Sequence, residues 1–226
     1  MDAAEAAKIV AAEKSLEFVK DGMAVGLGSG STATHFIRLL GEKVKAGLKI
    51  RSIASSKASE DLARSLSIPI TDFRQVSEID VAIDGADEIG PHLALIKGGG
   101  GALLREKIVA SAARRFIVVA DSSKIVRCLG KFPLPVEVIP MAAPLVERKI
   151  LALGIRSKVR QAKMGGDYIT DEGNLILDCA CGEIADPEAL AAAIRAMVGV
   201  VEHGLFLNMA EMALVADGAE VKTVHK

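Results

Sequence analysis

The sequence predicts an α/β fold: a doubly wound, mostly parallel sheet domain followed by a smaller ferredoxin-like α+β domain. Over roughly residues 1–128, short apolar segments such as "MAVGLG" and "RFIVVAD" alternate with helical stretches. That alternation is typical of a parallel sheet covered by helices on both faces. After the proline-containing segment "GKFPLPVEVIP", the predicted order becomes β-α-β-β-α-β, the ferredoxin-like pattern.

The first domain is predicted over residues 1–130, and the tail at about 205–226 is expected to complete it. Its elements are a helix over 2–20 and then, by their sequences, the strand "MAVGLG", the helix "TATHFIRLLGEKVKAG", the strand "KIRSIAS", the helix "SKASEDLARSL", the strand "IDVAIDGADEI" that runs into a loop, the strand, glycine run and helix of "LALIKGGGGALLREKIVASAA", and the strand "RFIVVAD". Ser31 or Thr32 is the expected cap of the second helix.

The second domain is predicted over residues 131–204, as a lid or an oligomerisation domain. Its expected elements are strand 134–139, helix 143–153, strand 155–162, a hairpin around "YITDEGNLILD", helix 187–197 and strand 199–203. The tail "LFLNMAEMALVADGAEVKTVHK" is expected to hold a helix or turn and one or two strands that return to the first sheet.

Composition narrows the classes of partner. The chain has 226 residues and a net charge of −1, so no strong field favours nucleic acid or an anionic membrane. No apolar run reaches the roughly 18 residues of a membrane helix. Cys128, Cys179 and Cys181 are too few for a disulfide framework and indicate a reducing compartment. We expect a cytoplasmic protein, or a plastid form if a transit peptide has been removed.

The stretch "GLGSGST" follows a predicted strand and precedes a helix. It lacks the lysine of a Walker loop, and the next strand ends without the acid of a dinucleotide site. Free backbone amides, the hydroxyls of Ser29, Ser31 and Thr32, and a helix N-terminus suit one phosphate monoester. A glycine-rich turn that only begins the helix is the alternative.

Three acids follow the predicted strand "VAIDGADEI": Asp84, Asp87 and Glu88. Ligands of open α/β sheets bind beyond the carboxyl ends of the strands. Clustered carboxylates there are suited to general acid and base chemistry. A solvated acidic loop is the alternative, and a metal site lacks further ligands at useful spacing.

The stretch "IKGGGGALLREK" places Lys97 and four glycines between a strand and a helix. Four consecutive glycines cost much conformational entropy, which a simple turn would not require. The backbone amides and the Lys97 ammonium predict an anion or oxyanion pocket, with Glu106 of the helix facing it.

Five motifs in order, "GLGSGSTATHFI", "IDGADEI", "KGGGGALLREKIVA", "VVADSSKIV" and "LPVEVIP", resemble the type A ribose-5-phosphate isomerase family over nearly the whole chain. The resemblance implies an aldose–ketose isomerase of the pentose phosphate pathway. It would act on a sugar phosphate through an enediolate and without a cofactor or a metal. It also implies a homodimer or a larger homo-oligomer.

The resemblance also implies site residues. Glu106 would be the base, Asp84 with Asp87 beside it would assist proton transfer on the sugar oxygens, and Lys97 would hold the enediolate oxygen. The remaining residues would bind substrate: Lys8, Ser29, Gly30, Ser31, Thr32, Gly85, Ala86, Gly98, Gly99, Gly100, Gly101 and Lys124. The family commonly has Thr at the position of Ser29, and both side chains carry a hydroxyl.

Two other classes of function would require different residues. A different enzyme of similar architecture, such as an amino-sugar phosphate deaminase or a CoA transferase, would need a catalytic histidine or a glutamate nucleophile with room for a thioester. A sugar-phosphate sensor could dispense with Glu106, but it would carry a DNA-binding segment and a basic face, and neither is evident in the sequence.

Overall fold

The computed structural model describes residues 3–226, and over this range it contains six α-helices and thirteen β-strands. The helices are α1 (Ala3–Ser15), α2 (Gly30–Lys45), α3 (Lys57–Ser65), α4 (Leu103–Ser111), α5 (Ala143–Ala152) and α6 (Pro187–Arg195). The strands are β1 (Ala24–Leu27), β2 (Arg51–Ala54), β3 (Ile79–Asp84), β4 (Glu88–Ile89), β5 (Leu95–Ile96), β6 (Ala113–Asp121), β7 (Leu134–Val138), β8 (Arg156–Val159), β9 (Leu175–Ala180), β10 (Val200–His203), β11 (Leu205–Phe206), β12 (Met212–Asp217) and β13 (Glu220–His225).

The chain divides into two compact units. The first consists of the described residues up to Ala86, Arg105–Ile125 and Asn208–Lys226. It contains one six-stranded sheet in the order β13-β12-β6-β3-β1-β2. Five of the strands, from β12 to β2 in this order, run parallel, and only β13 is antiparallel to its neighbour β12. This arrangement confirms the predicted doubly wound, mostly parallel sheet.

Apolar side chains of this sheet and its helices form one core. Phe36, Ile37 and Leu40 of α2 are fully buried in the same cluster as Val25 and Leu27 of β1. Burial of each such side chain contributes about 1.5–3 kcal/mol relative to exposure. Because β1 is buried on both faces, it reads as a continuous apolar run rather than an alternating one.

The order of the strands creates a switch point at the carboxyl ends of β1 and β3. From β1 the chain passes through α2 to β2 on one side, whereas from β3 it proceeds to β6 on the other side. Leu27 of β1 lies beside Ile83 of β3 in parallel register. The residues that follow these two strands therefore emerge at the crevice where open α/β sheets bind ligands.

The second unit comprises Asp87–Leu104 and Val126–Leu207. Its four-stranded antiparallel sheet has the order β10-β7-β9-β8, with α5 and α6 in the connections. Numbered along the chain, these strands run 4-1-3-2, which is the ferredoxin-like order that the sequence predicts. A separate three-stranded sheet, β11-β5-β4, is built from two-residue strands.

Several boundaries differ from the sequence predictions. Residues 87–104 belong to the second unit, whereas the predicted first domain of 1–130 included them. The predicted hairpin has one strand, β9, because residues 168–174 contain a turn, in which the amide of Gly173 donates to the carbonyl of Thr170, and no second strand. The tail contains β11 of the three-stranded sheet, β12 and β13 of the six-stranded sheet, and no helix. No helix among residues 3–226 combines the length and apolarity needed to cross a bilayer.

We expect the free energy of unfolding to depend on pH through one buried carboxyl group of the second unit. Glu137 on β7 is 1% exposed and lies opposite Glu202 of β10. Its Oε1 accepts hydrogen bonds from Thr170 Oγ1 and Asn174 Nδ2, both at 2.9 Å. Desolvation by burial raises the pKa of Glu137. The folded protein therefore holds this proton to a higher pH than the unfolded chain does, and the free energy of unfolding falls as pH rises through that interval.

We expect Glu137→Gln to flatten this part of the pH profile, because the glutamine Oε1 accepts the same two hydrogen bonds and carries no charge. Urea unfolding between about pH 4 and pH 8 measures the effect. Glu220→Gln makes the same change on the exposed strand β13 and serves as control. An unchanged pH slope for Glu137→Gln would contradict the assignment.

Candidate functional site

In the first unit, Asp84 holds the loop that follows β1. Its Oδ1 accepts hydrogen bonds from the amide of Ser29 at 2.9 Å and from the amide of Gly85 at 2.7 Å. The Asp84 side chain is buried, with 4% of the residue exposed. Ser29 Oγ lies 2.7 Å from Ser55 Oγ, and Ser59 Oγ donates to the carbonyl of Gly28 at 2.6 Å. The glycine loop is therefore held by Asp84 on one side and by Ser55 and Ser59 on the other.

The N-terminus of α2 begins in this loop. Ser29 occupies the N-cap position with extended backbone, and no side chain caps the helix. The prediction that Ser31 or Thr32 caps it is wrong, because both residues lie inside the first turn. Gly30 has a φ of +83°, a conformation that favours glycine. A 16-residue helix whose first amides lack a side-chain cap is suited to bind an anion.

Gly28 is required here by close packing rather than by its φ angle. A Cβ at this position would lie 2.2 Å from Asp84 Oδ1 and 2.6 Å from Asp84 Cα. Since the second contact involves backbone, a side-chain rotation cannot relieve it. We expect Gly28→Ala to displace Asp84 and to destabilise the fold by about 1–3 kcal/mol. Thermal unfolding and turnover should both fall.

Gly100→Ala is the control for stability, because a Cβ at Gly100 has no atom within 4 Å. Its melting temperature should stay close to that of the wild type. Equal melting temperatures for the wild type and Gly28→Ala would show that the loop after β1 adapts to the methyl group.

In the second unit, Asp87 anchors the glycine run. Its Oδ2 accepts a hydrogen bond from the amide of Gly99 at 2.7 Å, and a Cβ on Gly99 would lie 2.5 Å from Asp87 Oδ1. Lys97 is 2% exposed, and its Nζ lies 5.5 Å from the centroid of the Phe206 ring. Its backbone amide donates to the carbonyl of Gly204. A buried lysine at the start of a glycine run is suited to stabilise a developing negative charge.

Two of the four glycine amides in the predicted oxyanion pocket donate hydrogen bonds within the protein. The amide of Gly99 donates to Asp87, and the amide of Gly101 donates to the carbonyl of Gly98 at 2.9 Å. Gly98 and Gly101 have φ angles of +97° and +87°, so the run makes a tight turn that only glycines adopt readily. The amides of Gly98 and Gly100 are the candidate donors to an oxyanion.

Glu88 has a structural role distinct from the two neighbouring acids. Its carboxylate is 3% exposed and accepts hydrogen bonds from the amides of Gly130 and Phe132, at 2.7 and 2.5 Å. Asp84, Asp87 and Glu88 thus each accept from different backbone amides. Each of the three acids therefore also holds a segment of backbone, a role that the sequence did not indicate.

Glu106 and Lys124 belong to the first unit. Glu106 is the fourth residue of α4 and is 5% exposed. Lys124 is half-buried and ends the short turn Ser122–Lys124, directly after β6. Because β6 is the parallel neighbour of β3, Lys124 follows the same edge of the sheet as Asp84. Gly85 and Ala86 follow Asp84, and a Cβ on Gly85 would lie 3.9 Å from Thr32 Cβ.

Lys8 of α1 is paired with a carboxylate. Its Nζ lies 3.1 Å from Glu5 Oε2, and Glu5 Oε1 lies 2.7 Å from His35 Nε2 of α2. The structure thus links Lys8 to α2 through Glu5. Within residues 3–226, no group of three His, Cys, Asp or Glu residues is placed to hold a metal ion.

Sequence reasoning missed the side chains that support the loops. Ser55 and Ser59 follow β2 and reach the loop after β1, which only the parallel pairing of β1 and β2 brings near. Arg160 and Tyr168 donate to carbonyls of the glycine run. These residues belong to no recognisable motif. Only knowledge of which strands pair would have indicated that they reach the loops.

Comparison with known proteins identifies the family. The family model described as Ribose 5-phosphate isomerase A (phosphoriboisomerase A) matches residues 51–220. The chain belongs to the ribose 5-phosphate isomerase A family. The Ribose-5-phosphate isomerase A of Sphingopyxis alaskensis is 51% identical over 221 residues, which cover 98% of this chain and 96% of that protein. That of Parvibaculum lavamentivorans is 52% identical over 214 residues, covering 92% and 93%.

Solved structures of the family share the fold over the full length. A D-ribose-5-phosphate isomerase in complex with phospho-erythronic acid aligns with a TM-score of 0.96 at 40% identity, covering 100% of both chains. The ribose 5-phosphate isomerase A of Methanocaldococcus jannaschii aligns with a TM-score of 0.93 at 41% identity, covering 97% and 98%. The predicted family and fold class are confirmed.

Proposed function

We propose that this isomerase interconverts D-ribose 5-phosphate and D-ribulose 5-phosphate through an enediolate, with Glu106 as the base. The observation that carries the proposal is the identity of near 50% to ribose-5-phosphate isomerases over nearly the whole chain. A buried carboxylate on α4 and a buried lysine beside a glycine run supply the groups that the reaction needs. The reaction belongs to the non-oxidative pentose phosphate pathway.

The proton moves between two carbons of the open-chain sugar. The Glu106 carboxylate takes the proton from C2 while the C1 carbonyl oxygen gains negative charge, and an enediolate forms. Protonation of the C1 oxygen and loss of the proton from the C2 hydroxyl move the carbonyl to C2. Glu106 then returns its proton to C1, so that atoms and charge balance without an electron acceptor.

Other groups serve the oxygens and the phosphate. Asp84 assists proton transfer on the sugar oxygens and ring opening, and Asp87 fixes the glycine run. The Lys97 ammonium and glycine amides stabilise the enediolate oxygen. Ser29, Gly30, Ser31 and Thr32 bind the phosphate at the N-terminus of α2, where the uncapped amides and the helix dipole favour an anion. Lys124 and Lys8 add positive charge near the phosphate.

A sugar phosphate as ligand is supported by the related structure that holds phospho-erythronic acid. That molecule carries a phosphate and a carboxylate, and a carboxylate resembles the two oxygens of an enediolate in charge and shape. A homodimer or larger homo-oligomer stays a prediction. The second unit supports it with exposed apolar side chains, of which Met141 is 91% and Val198 79% exposed. A cytoplasmic location also stays a prediction.

The test is proton NMR of D-ribose 5-phosphate with the purified, EDTA-treated protein in D2O. We expect ribulose 5-phosphate to appear with deuterium at C1, because the base exchanges its proton with solvent during the reaction. Binding of ribose 5-phosphate without formation of the ketose would leave a phosphate site and refute the assignment of the acid and base groups. It would also favour the sensor alternative.

A further inference from the structure

A partly buried ion pair of the second unit contacts the glycine run. Arg160 directly follows β8, and Asp178 lies on the neighbouring strand β9. Arg160 Nε donates to Asp178 Oδ2 at 3.0 Å, and Nη2 donates to Asp178 Oδ1 at 2.5 Å. The two side chains are only 14% and 16% exposed. This is a bidentate pair in which the carboxylate fixes the plane and the orientation of the guanidinium.

The remaining arm of Arg160 contacts the glycine backbone. Its Nη1 donates to the carbonyl oxygens of Gly98 and Gly99, both at 3.0 Å. The Tyr168 hydroxyl lies 3.3 Å from the carbonyl oxygen of Gly100, and the Tyr168 ring lies 6.0 Å from Arg160 Cζ. Arg160 and Tyr168 thus engage three successive glycine carbonyls. Four successive glycines would otherwise have more backbone freedom than any other residues.

Fixing a carbonyl fixes the amide of the same peptide unit. In a trans peptide the C=O of one residue and the N–H of the next point in opposite directions. By binding the Gly99 carbonyl, Arg160 sets the direction of the Gly100 amide. The Gly99 and Gly101 amides already donate to Asp87 and to the Gly98 carbonyl. Of the two peptide units that Arg160 orients, the Gly99–Gly100 unit is therefore the one whose amide is a candidate donor to the substrate.

The charge of Arg160 adds to this geometry. A hydrogen bond from a guanidinium to a carbonyl polarises the peptide unit and makes its N–H a stronger donor. The effect is larger where the pair is shielded from water, as it is here. The Gly100 amide would therefore bind a negatively charged oxygen more strongly than a neutral one.

We propose that Arg160, held by Asp178, is a positioning residue for the isomerase reaction, which orients and polarises the Gly99–Gly100 peptide so that the Gly100 amide stabilises the enediolate oxygen. The proposal rests on the proposed function, because it needs an oxyanion to form. It assigns to β8 and β9 a part in catalysis that acts through the glycine run and involves no contact of Arg160 with substrate.

The test compares Arg160→Met, Arg160→Lys and Asp178→Asn with the wild type. For each we would measure kcat and KM for ribose 5-phosphate and the inhibition constant of phospho-erythronic acid. For Arg160→Met we expect kcat to fall about 10- to 100-fold, less than for loss of an oxyanion donor itself, with KM changed by less than about threefold. The inhibition constant should rise in parallel with the loss of kcat/KM, because the inhibitor's carboxylate is charged like the enediolate.

The conservative variants separate positioning from general destabilisation. Arg160→Lys retains a positive charge near Asp178 but loses the fork, so its kcat should lie between those of the wild type and Arg160→Met. If Arg160→Met does not fold, Arg160→Lys takes its place in the comparison. Tyr168→Phe removes only the hydroxyl contact with Gly100 and keeps the ring, so its effect should be smaller than that of Arg160→Met.

Two results would overturn the proposal: a folded Arg160→Met with the kcat of the wild type, or a lowered kcat with unchanged inhibition by phospho-erythronic acid. The second would mean that Arg160 affects turnover without acting on the bound oxyanion. Failure of the proposed function would give a different result from failure of this proposal. The wild type itself would then form no ribulose 5-phosphate, or Glu106→Gln would remain active.

Discussion

Glu106→Gln should lower kcat by about 10²- to 10⁴-fold, or about 3–5 kcal/mol of transition-state stabilisation, which is the usual contribution of a positioned general base. Glutamine has nearly the same volume and shape as glutamate but cannot take a proton from carbon. Glu106 is 5% exposed on α4, so a substitution of equal size is needed to keep its surroundings packed. KM for ribose 5-phosphate should change much less than kcat, because the phosphate supplies most of the binding.

The measurement is initial-rate kinetics together with exchange of deuterium from D2O into the sugar. Both isomerisation and exchange should be lost in Glu106→Gln, since both need the same proton transfer. The matched control is Glu13→Gln, which makes the same change at an exposed position of α1. If Glu106→Gln turned over at near the wild-type rate, another residue would have to be the base.

The order of elements in the first unit follows from local signals in the sequence. Apolar runs such as Val25–Leu27 and Phe116–Ala120 are long enough for buried strands, and glycine-rich loops separate them from amphipathic helices. The position of Asp84 at a strand end was predictable for the same reason. These signals act over a few residues. Because strands that follow one another along the chain usually lie side by side in a parallel sheet, the pairing of the strands follows largely from their order.

Features that depend on pairing between distant segments were not predictable. The two-residue strands β4, β5 and β11 have no periodicity of their own and exist only through mutual hydrogen bonds. Residues 87–104 consequently fall in the second unit.

Individual hydrogen bonds of the candidate site were likewise not predictable from the sequence. The sequence indicated an oxyanion pocket from Lys97 and four glycines, but it could not say that Gly99 and Gly101 donate within the protein. Glu88 looked equivalent to Asp84 and Asp87, because a one-dimensional pattern does not show that its carboxylate binds the amides of Gly130 and Phe132. Residue types predict which chemistry is possible, and only backbone geometry decides which donors remain for it.

Asp84 should respond differently to substitution by asparagine and by alanine, because it both accepts backbone hydrogen bonds and carries a negative charge. Oδ1 accepts the amides of Ser29 and Gly85, which is a structural task that an asparagine Oδ1 also performs. The negative charge and the capacity to exchange a proton are lost in both variants. We therefore expect Asp84→Asn to lower kcat about 10²-fold or more while its melting temperature stays close to that of the wild type.

Asp84→Ala should lose both activity and stability. The backbone amides of Ser29 and Gly85, which both belong to half-buried residues, would lose their acceptor, at a cost of about 1–3 kcal/mol for each amide that water cannot reach. The loop after β1, with its phosphate-binding hydroxyls, would no longer be held against β3, so KM should rise in Asp84→Ala and not in Asp84→Asn. Thermal unfolding and steady-state kinetics of the two variants measure this contrast. Equal melting temperatures would mean that Asp84 does not anchor the loop, whereas an active Asp84→Asn would mean that its charge takes no part in proton transfer.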